Sequence, residues 1–158
     1  MKNEIERKFF VRDMPNLSGI VPLQYERYFL ERTHGKEIRI SKVGDSYIYE
    51  EKSAVSDLER TRAKKEISQA EFEALKQKGS EGIIRTKYAL SRDPDIAIQV
   101  YGGRFEGLVR VEVEFDSEEA ARSFVPLSWM GEEMTGLPIA RDSNLLDLTD
   151  EEFKRYIE

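Results

Sequence analysis

Hydrophobic and polar residues alternate with a period of two through most of this chain. From residue 4 to residue 11, Glu4, Glu6 and Lys8 fall on one face, and Ile5, Arg7, Phe9 and Val11 on the other. That is the pattern of a β-strand with two unlike faces. The same reading predicts strands at 25–30, 37–42, 46–52, 60–67, 83–90, 96–101 and 108–115. Gly44-Asp45, Gly102-Gly103 and the 91–94 stretch supply turns between them. Short strands at regular spacing favour a closed barrel or a sandwich over a parallel sheet. Helices are fewer. Ser68 with Glu71 forms a capping box ahead of Ala70, Phe72 and Leu75, and Gly79 stops that helix. Asp116 with Glu119 opens a second, running to Phe124 and ended by Pro126, and Thr149 with Glu152 opens a third, with Phe153, Tyr156 and Ile157 on one side.

Size and composition narrow this picture. The 158 residues form a single domain, 1–158, on this reading, with no internal repeat and no break in composition. Hydrophobic residues make up 39% and charged residues 35%, so charge is either heavily solvated or put to use inside. The balance of 31 acids to 25 bases, a net charge of -6, argues against a nucleic-acid duplex as partner. It leaves room for a buried basic site, because net charge does not report where charges sit. The chain has no cysteine, which removes disulfides and thiolate metal sites. Its start, MKNEIERKFFV, lacks the apolar run of a signal peptide, and no stretch approaches a membrane span. The expectation is a cytoplasmic protein with no membrane contact.

The polar faces of the strands are ionic. The first offers Glu4, Glu6 and Lys8, and the last offers Arg110, Glu112 and Glu114 opposite Val109, Val111, Val113 and Phe115. Between them come Arg39, Lys52, then Arg62, Lys64 and Glu66, then Arg85 and Lys87. A wet outer face predicts scattered signs, whereas these are grouped. Should the sheet close, its terminal strands become neighbours and Glu4, Glu6, Glu112 and Glu114 share one face. Four neighbouring carboxylates need a counter-charge, which a hard cation such as Mg²⁺ or Mn²⁺ supplies through oxygen ligands. A facing wall of Arg39, Lys52, Arg85 and Lys87 suits an anion carrying several phosphates.

Glu4-Ile5-Glu6-Arg7-Lys8 resembles the ExExK signature of the CYTH family, the triphosphate tunnel metalloenzymes. The resemblance spans nearly the whole chain. EIRI followed by Gly44, Lys52, IIRTKYAL, GLVRVEVEF, and the SWMG and EMTG segments from Ser128 to Gly136 are all similar to family blocks. It implies a mainly β (α+β) fold, a closed eight-stranded antiparallel β-barrel, or tunnel, with a few helices packed outside. By the same resemblance Glu4, Glu6, Glu112 and Glu114 are metal ligands for Mg²⁺ or Mn²⁺, and these with Lys8 are the catalytic set. Lys8, Arg39, Lys52, Arg85 and Lys87 hold phosphates, and Arg141 belongs to a C-terminal segment that closes one mouth; Arg62 and Lys64 join the candidate substrate-binding set from the ionic face of their own strand. Glu66 fits an acidic position before the outer helix. Two positions depart from the family pattern. Gln99 stands where an Asp is usual, which bears on whether one or two metals bind, and Ser41 stands where a second basic residue is usual.

Other residues carry less. His34, the single histidine, sits in a turn and reads as solvated. Tyr28 is divided between a tunnel role and packing, Trp129 reads as core, and Arg7 has the wrong parity for the lumen and lies outside. The expected function is metal-dependent hydrolysis of a triphosphate-containing small molecule, inorganic triphosphate ahead of organic ones. The alternatives are an adenylyl cyclase making cyclic AMP from ATP, and a non-catalytic polyphosphate or nucleotide binder. A barrel for an apolar ligand is disfavoured by the ionic faces, and the family resemblance allows a homodimer.

Overall fold

The computed structural model describes residues 2–33, 35–54 and 58–158; His34 and the expectation attached to it lie outside them. The strands are β1 (Lys2–Val11), β2 (Leu23–Thr33), β3 (Lys36–Val43), β4 (Ser46–Ala54), β5 (Glu59–Ile67), β6 (Ile83–Ser91), β7 (Asp95–Tyr101), β8 (Val109–Phe115) and β9 (Met130–Glu133). Helices are α1 (Gln69–Lys76), α2 (Glu118–Ser123), α3 (Asp142–Leu145) and α4 (Asp150–Ile157), with 3₁₀ turns at Gly103–Phe105 and Pro138–Ala140. Strand order is β5-β4-β3-β2-β6-β7-β8-β1-β9, with a further β5–β1 pairing that closes eight strands into a barrel. Every ladder is antiparallel. Among the described residues no helix is long and apolar enough to cross a membrane.

Closure is the work of β1. One of its edges pairs with β8 in the register Glu6↔Glu114 and Lys8↔Glu112. Its other edge is divided: β5 takes the first half, with Glu4↔Arg60, and β9 takes the second, with Phe9↔Glu133 and Val11↔Met130. The sequence reading did not foresee β9. Four residues around a glycine show no useful alternation, and the strand forms because β5 leaves the far half of that edge uncovered.

The core lies outside the barrel wall. Ile5, Phe9, Ile96, Ile98, Val111 and Val113 point outward and pack with Ala121 of α2 and Met130 of β9. Phe29, Ile83, Phe105 and Leu108 pack with Met134, Ile139, Leu145 and Phe153 of the C-terminal segment. Ile40, Ile67 and Phe72 form a smaller cluster under α1. Small barrels usually fill their interior with apolar side chains. Here the alternation is inverted, and the interior is left to the charged face. Arg7 lies outside as its parity requires, gripping Glu133 at 2.7 and 3.0 Å and the carbonyls of Ala121 and Phe124. Trp129 packs against the outer core.

Local signals fared well with small shifts. The capping boxes of Ser68 with Glu71 and of Thr149 with Glu152 both form. At α2 the cap is Ser117 rather than Asp116, because the Ser117 hydroxyl accepts from the Ala120 amide. Ala70 is exposed, so α1 buries Phe72 alone and half-buries Leu75. Gly44, at φ 58, makes the tight β3–β4 turn that a Cβ would oppose.

Phe72 is 1% exposed, edge-on to Tyr28 at 6.0 Å and tilted on Tyr47 at 5.0 Å. Phe72→Ala should cost about 3–5 kcal/mol by removing the ring that ties α1 to the barrel. Urea unfolding followed by circular dichroism measures the loss.

Candidate active site

The inward residues of the barrel enclose a cavity of about 140 Å³. All twelve residues expected from the sequence line it: Glu4, Glu6, Lys8, Arg39, Lys52, Arg62, Lys64, Arg85, Lys87, Glu112, Glu114 and Arg141. It reaches the surface beside Lys64, which is exposed. A wider groove of about 500 Å³ lies on the outer surface by Asp93, Asp95 and Asp116, but no Lys or Arg lines it. Its charge is of the wrong sign for a polyanion.

Within the tunnel the acids and bases are mixed rather than set on facing walls. Lys52 donates to Glu4 at 2.6 Å, and Arg62 reaches the other Glu4 oxygen at 2.7 Å. Glu4 is therefore committed to two cations and does not join the other carboxylates. Among the described residues no three His, Cys, Asp or Glu side chains are already gathered closely enough to form a metal site, so a divalent ion would have to draw the carboxylates together. What remains is the β1–β8 seam, where Glu6 and Glu114 face each other directly, with Glu112 next along. Like charges opposed across a ladder are destabilising. Their carboxylate oxygens have the donor chemistry that a hard divalent ion takes. Lys8 sits 3.4 Å from Glu6 and donates to the Ala140 carbonyl at 2.7 Å.

Gln99 is a connector. Its oxygen accepts from Arg85 at 2.5 Å and its amide donates to Glu112 at 3.3 Å. Ser41, fully buried, accepts from Arg27 at 3.0 Å. Tyr28 lies outside the tunnel against α1, its hydroxyl donating to Glu26; the tunnel tyrosine is Tyr25, with Arg85 stacked 4.2 Å from its ring centre. Glu66 is exposed and does not line the cavity.

The principal residue missed from sequence is Asp142. Its carboxylate receives Arg27 at 2.8 Å, Arg110 at 3.0 Å, Arg85 at 3.2 Å and the Tyr101 hydroxyl. Around it the chain crosses one end of the barrel. Arg110 donates to the Ile139 carbonyl at 3.0 Å, and the Ser143 hydroxyl donates to Glu37. The tunnel thus has a floor. Arg27, Glu37, Glu50 and Arg60 were also passed over, although each shares the inward parity of its strand. Alternation alone could have found them. Nothing in the sequence marks Asp142, which lies outside any strand.

These contacts set the ionisation of the site. Burial pushes the Asp142 carboxyl up, but Arg85, Arg110 and Arg27 together hold it well below the usual range. Burial likewise raises Glu50, and Arg39, Arg27, Lys52 and Arg62 bring it down to about 2. Glu112 is depressed against its burial by Arg110, Lys8 and Arg85. Burial, reinforced by Arg39, lowers Lys52 to about 8 against the pull of Glu4, Glu6 and Glu50.

Depressed carboxyls stabilise the fold above the unfolded value near pH 4, and lose that contribution as pH falls through the folded value. For Asp142 and Glu50 the window therefore opens below about pH 4, with each group contributing a slope of up to about 1.4 kcal/mol per pH unit. Urea midpoints measured from pH 7 to pH 2.5 should be flat down to about 4 and then fall steeply. Asp142→Asn leaves three buried guanidiniums short of their counter-charge and should cost about 3–5 kcal/mol at pH 7. The same urea titration checks it, and the acid slope should become shallower in that variant.

No family model matches this chain. Over 138 residues it is 36% identical to the inorganic triphosphatase of Nitrosomonas europaea, covering 84% of this chain and 89% of that protein. A crystal structure of an inorganic triphosphatase superposes with a TM-score of 0.68 at 28% identity, covering 94% of this chain and 97% of that one. A putative adenylate cyclase from Bacillus halodurans shares the fold, with a TM-score of 0.56 at 17% identity over 81% of this chain and 96% of that one. At the identity and coverage of the first of these, the chain belongs to the family of the Nitrosomonas europaea inorganic triphosphatase.

Proposed function

We propose that this protein is a CYTH-type triphosphatase that hydrolyses linear triphosphates, inorganic triphosphate first, with Mg²⁺ or Mn²⁺ as cofactor. The observation that carries the reading is the charge of the cavity. Eleven cationic side chains and six acidic ones line it, a local surplus of five positive charges in a chain of net charge -6. A small polyanion is the ligand that such a surplus recognises, and the family relative is by name an inorganic triphosphatase. One domain over 1–158, a cytoplasmic location, and a small molecule rather than a nucleic-acid duplex as partner belong to the same reading.

Chemically, water displaces the terminal phosphoryl group and a P–O anhydride bond breaks, leaving phosphate and pyrophosphate from inorganic triphosphate. Negative charge spreads over the phosphoryl oxygens on the way, so catalysis is chiefly placement and charge stabilisation. Arg39, Lys52, Arg62, Lys64 and Lys87 are placed along the cavity to hold those oxygens, and Arg141 stands near its floor. Glu6, Glu112 and Glu114 would hold the divalent ion, with Glu4 joining where Lys52 and Arg62 release it. When bound, the ion supplies Lewis-acid stabilisation of phosphoryl charge. Glu112, depressed by its three cations, is a poor proton acceptor, which suits a ligand better than a general base.

Purified protein given inorganic triphosphate with Mg²⁺ or Mn²⁺ should release phosphate, and folded protein releasing none with either metal would overturn the reading. Glu112→Gln should lower kcat by about 100-fold or more while circular dichroism stays unchanged. ATP should yield no cyclic AMP under the same conditions; its appearance would favour the cyclase instead.

A further inference from the structure

The divided edge of β1 has a gap in its middle. β5 pairs with it as far as Ile5, and β9 begins at Phe9. Glu6 and Lys8 turn their backbone groups to that edge, and among the described residues neither ladder pairs them. The Glu6 amide donates to the Leu58 carbonyl at 3.1 Å, one residue ahead of β5. The Lys8 carbonyl accepts from the Met134 amide at 2.8 Å, one residue beyond β9. The Lys8 amide is served differently. It donates to a side chain, the Thr135 hydroxyl, at 2.8 Å.

The hydroxyl proton has two acceptors in reach, the Lys8 carbonyl at 3.4 Å and the Glu133 carboxylate. One side chain thus meets both backbone groups of Lys8, as a cross-strand residue would. The same stretch holds the Lys8 ammonium, which donates to the Ala140 carbonyl at 2.7 Å and lies 3.4 Å from Glu6. Behind the gap is a cavity of about 10 Å³, room for about one water, lined by Glu6, Lys8, Arg60, Thr135 and Arg141 among others. Thr135 itself does not line the tunnel, so its influence on the chemistry passes through β1.

We propose that Thr135 is a positioning residue: its hydroxyl closes the gap in the β1 edge and so fixes Glu6 and Lys8 against Glu114 and Glu112, their partners across β8. A strand segment held on one edge alone has freedom in its pleat, and Glu6 and Lys8 are the inward residues that would move with it. Without the Thr135 oxygen the Lys8 amide turns to water in the small cavity, so the chain stays hydrogen-bonded but loses its fixed partner. A shift of about 1 Å in such a group costs on the order of 100-fold in rate. The inference rests on the triphosphatase reading for its reaction, and its test includes a readout that needs no turnover.

Thr135→Val keeps the volume and removes the oxygen, and Thr135→Ser keeps the oxygen. With inorganic triphosphate and Mg²⁺, Thr135→Val should lower kcat about 10- to 100-fold with little change in KM, because the substrate is held from other strands as well. Thr135→Ser should recover most of that loss. Thr149→Ala removes a like bond, from a threonine hydroxyl to the Glu152 amide on α4, and should lower stability while leaving kcat unchanged. Amide hydrogen exchange at Lys8, followed by NMR on the metal-free protein, should be slow in wild type and Thr135→Ser and faster in Thr135→Val. Unchanged kcat in folded Thr135→Val, an equal loss in Thr149→Ala, or no recovery in Thr135→Ser would each refute the positioning role. Should Thr135→Val fail to fold, Thr135→Cys, whose thiol is a weak acceptor, is held to the same outcomes. Wild type that releases no phosphate sinks the triphosphatase reading, and exchange at Lys8 then decides the role of Thr135 alone: faster exchange in Thr135→Val upholds it, and an unchanged rate refutes it.

Discussion

Barrel closure at β1 is the constraint on which the rest depends. A single ten-residue strand offers one edge to β8 and splits the other between β5 and β9. Once those ladders form, the residues alternating along every strand are sorted into an outside and an inside. The outside receives Ile5, Phe9, Ile98 and Val111 and becomes the core, covered by helices and the C-terminal segment. The inside receives Glu4, Glu6, Lys8 and their counterparts. A slip of one residue in the β1–β8 register would exchange the two sets, putting apolar side chains in the lumen and charges in the core.

An ionic interior is energetically awkward, since each buried charge loses hydration that only partners can restore. The fold handles this unevenly. Asp142 gathers three arginines and a tyrosine into a closed network, and Glu4 is neutralised by Lys52 and Arg62. Elsewhere compensation is incomplete. Burial and neighbouring Arg39 depress Lys52, burial depresses Lys8, and Arg39 and Arg60 each hold a donor with no acceptor. The Asp142 network builds the end wall of the tunnel, while Arg39, Lys52 and Arg60 line the space a polyanion would fill. Stability and recognition thus use the same residue types at different degrees of satisfaction.

The tunnel fold is shared with proteins of different description, among them a putative adenylate cyclase whose sequence has diverged far from this one. Architecture of this kind supplies a lumen, and the chemistry comes from what lines it. In this chain the lining departs from a simple separation of acidic and basic walls. Gln99 links Arg85 to Glu112 without adding charge, and Ser41 serves as an acceptor for Arg27. Both substitutions leave the β1–β8 carboxylates as the main concentration of negative charge on the wall.

Much of this was legible from the residues alone. Period-two alternation located all eight barrel strands, because strand geometry forces side-chain direction on residue parity. Grouped signs on the polar face, with acids in both terminal strands, identified the lumen and twelve of the residues that line it. Capping boxes at Ser68 and Thr149 marked two helices, since that chemistry is local. Three things were settled only in three dimensions. The strand β9 exists because an edge was vacant, the Ser117 cap won over Asp116 by backbone geometry, and Asp142 became the floor because the C-terminal segment crosses the barrel end. Parity tells which way a side chain points but not which partner it meets. Whether Glu4 stands beside Glu6 or turns to Lys52 is decided by the stagger of strands far apart in sequence, and no local pattern carries that information.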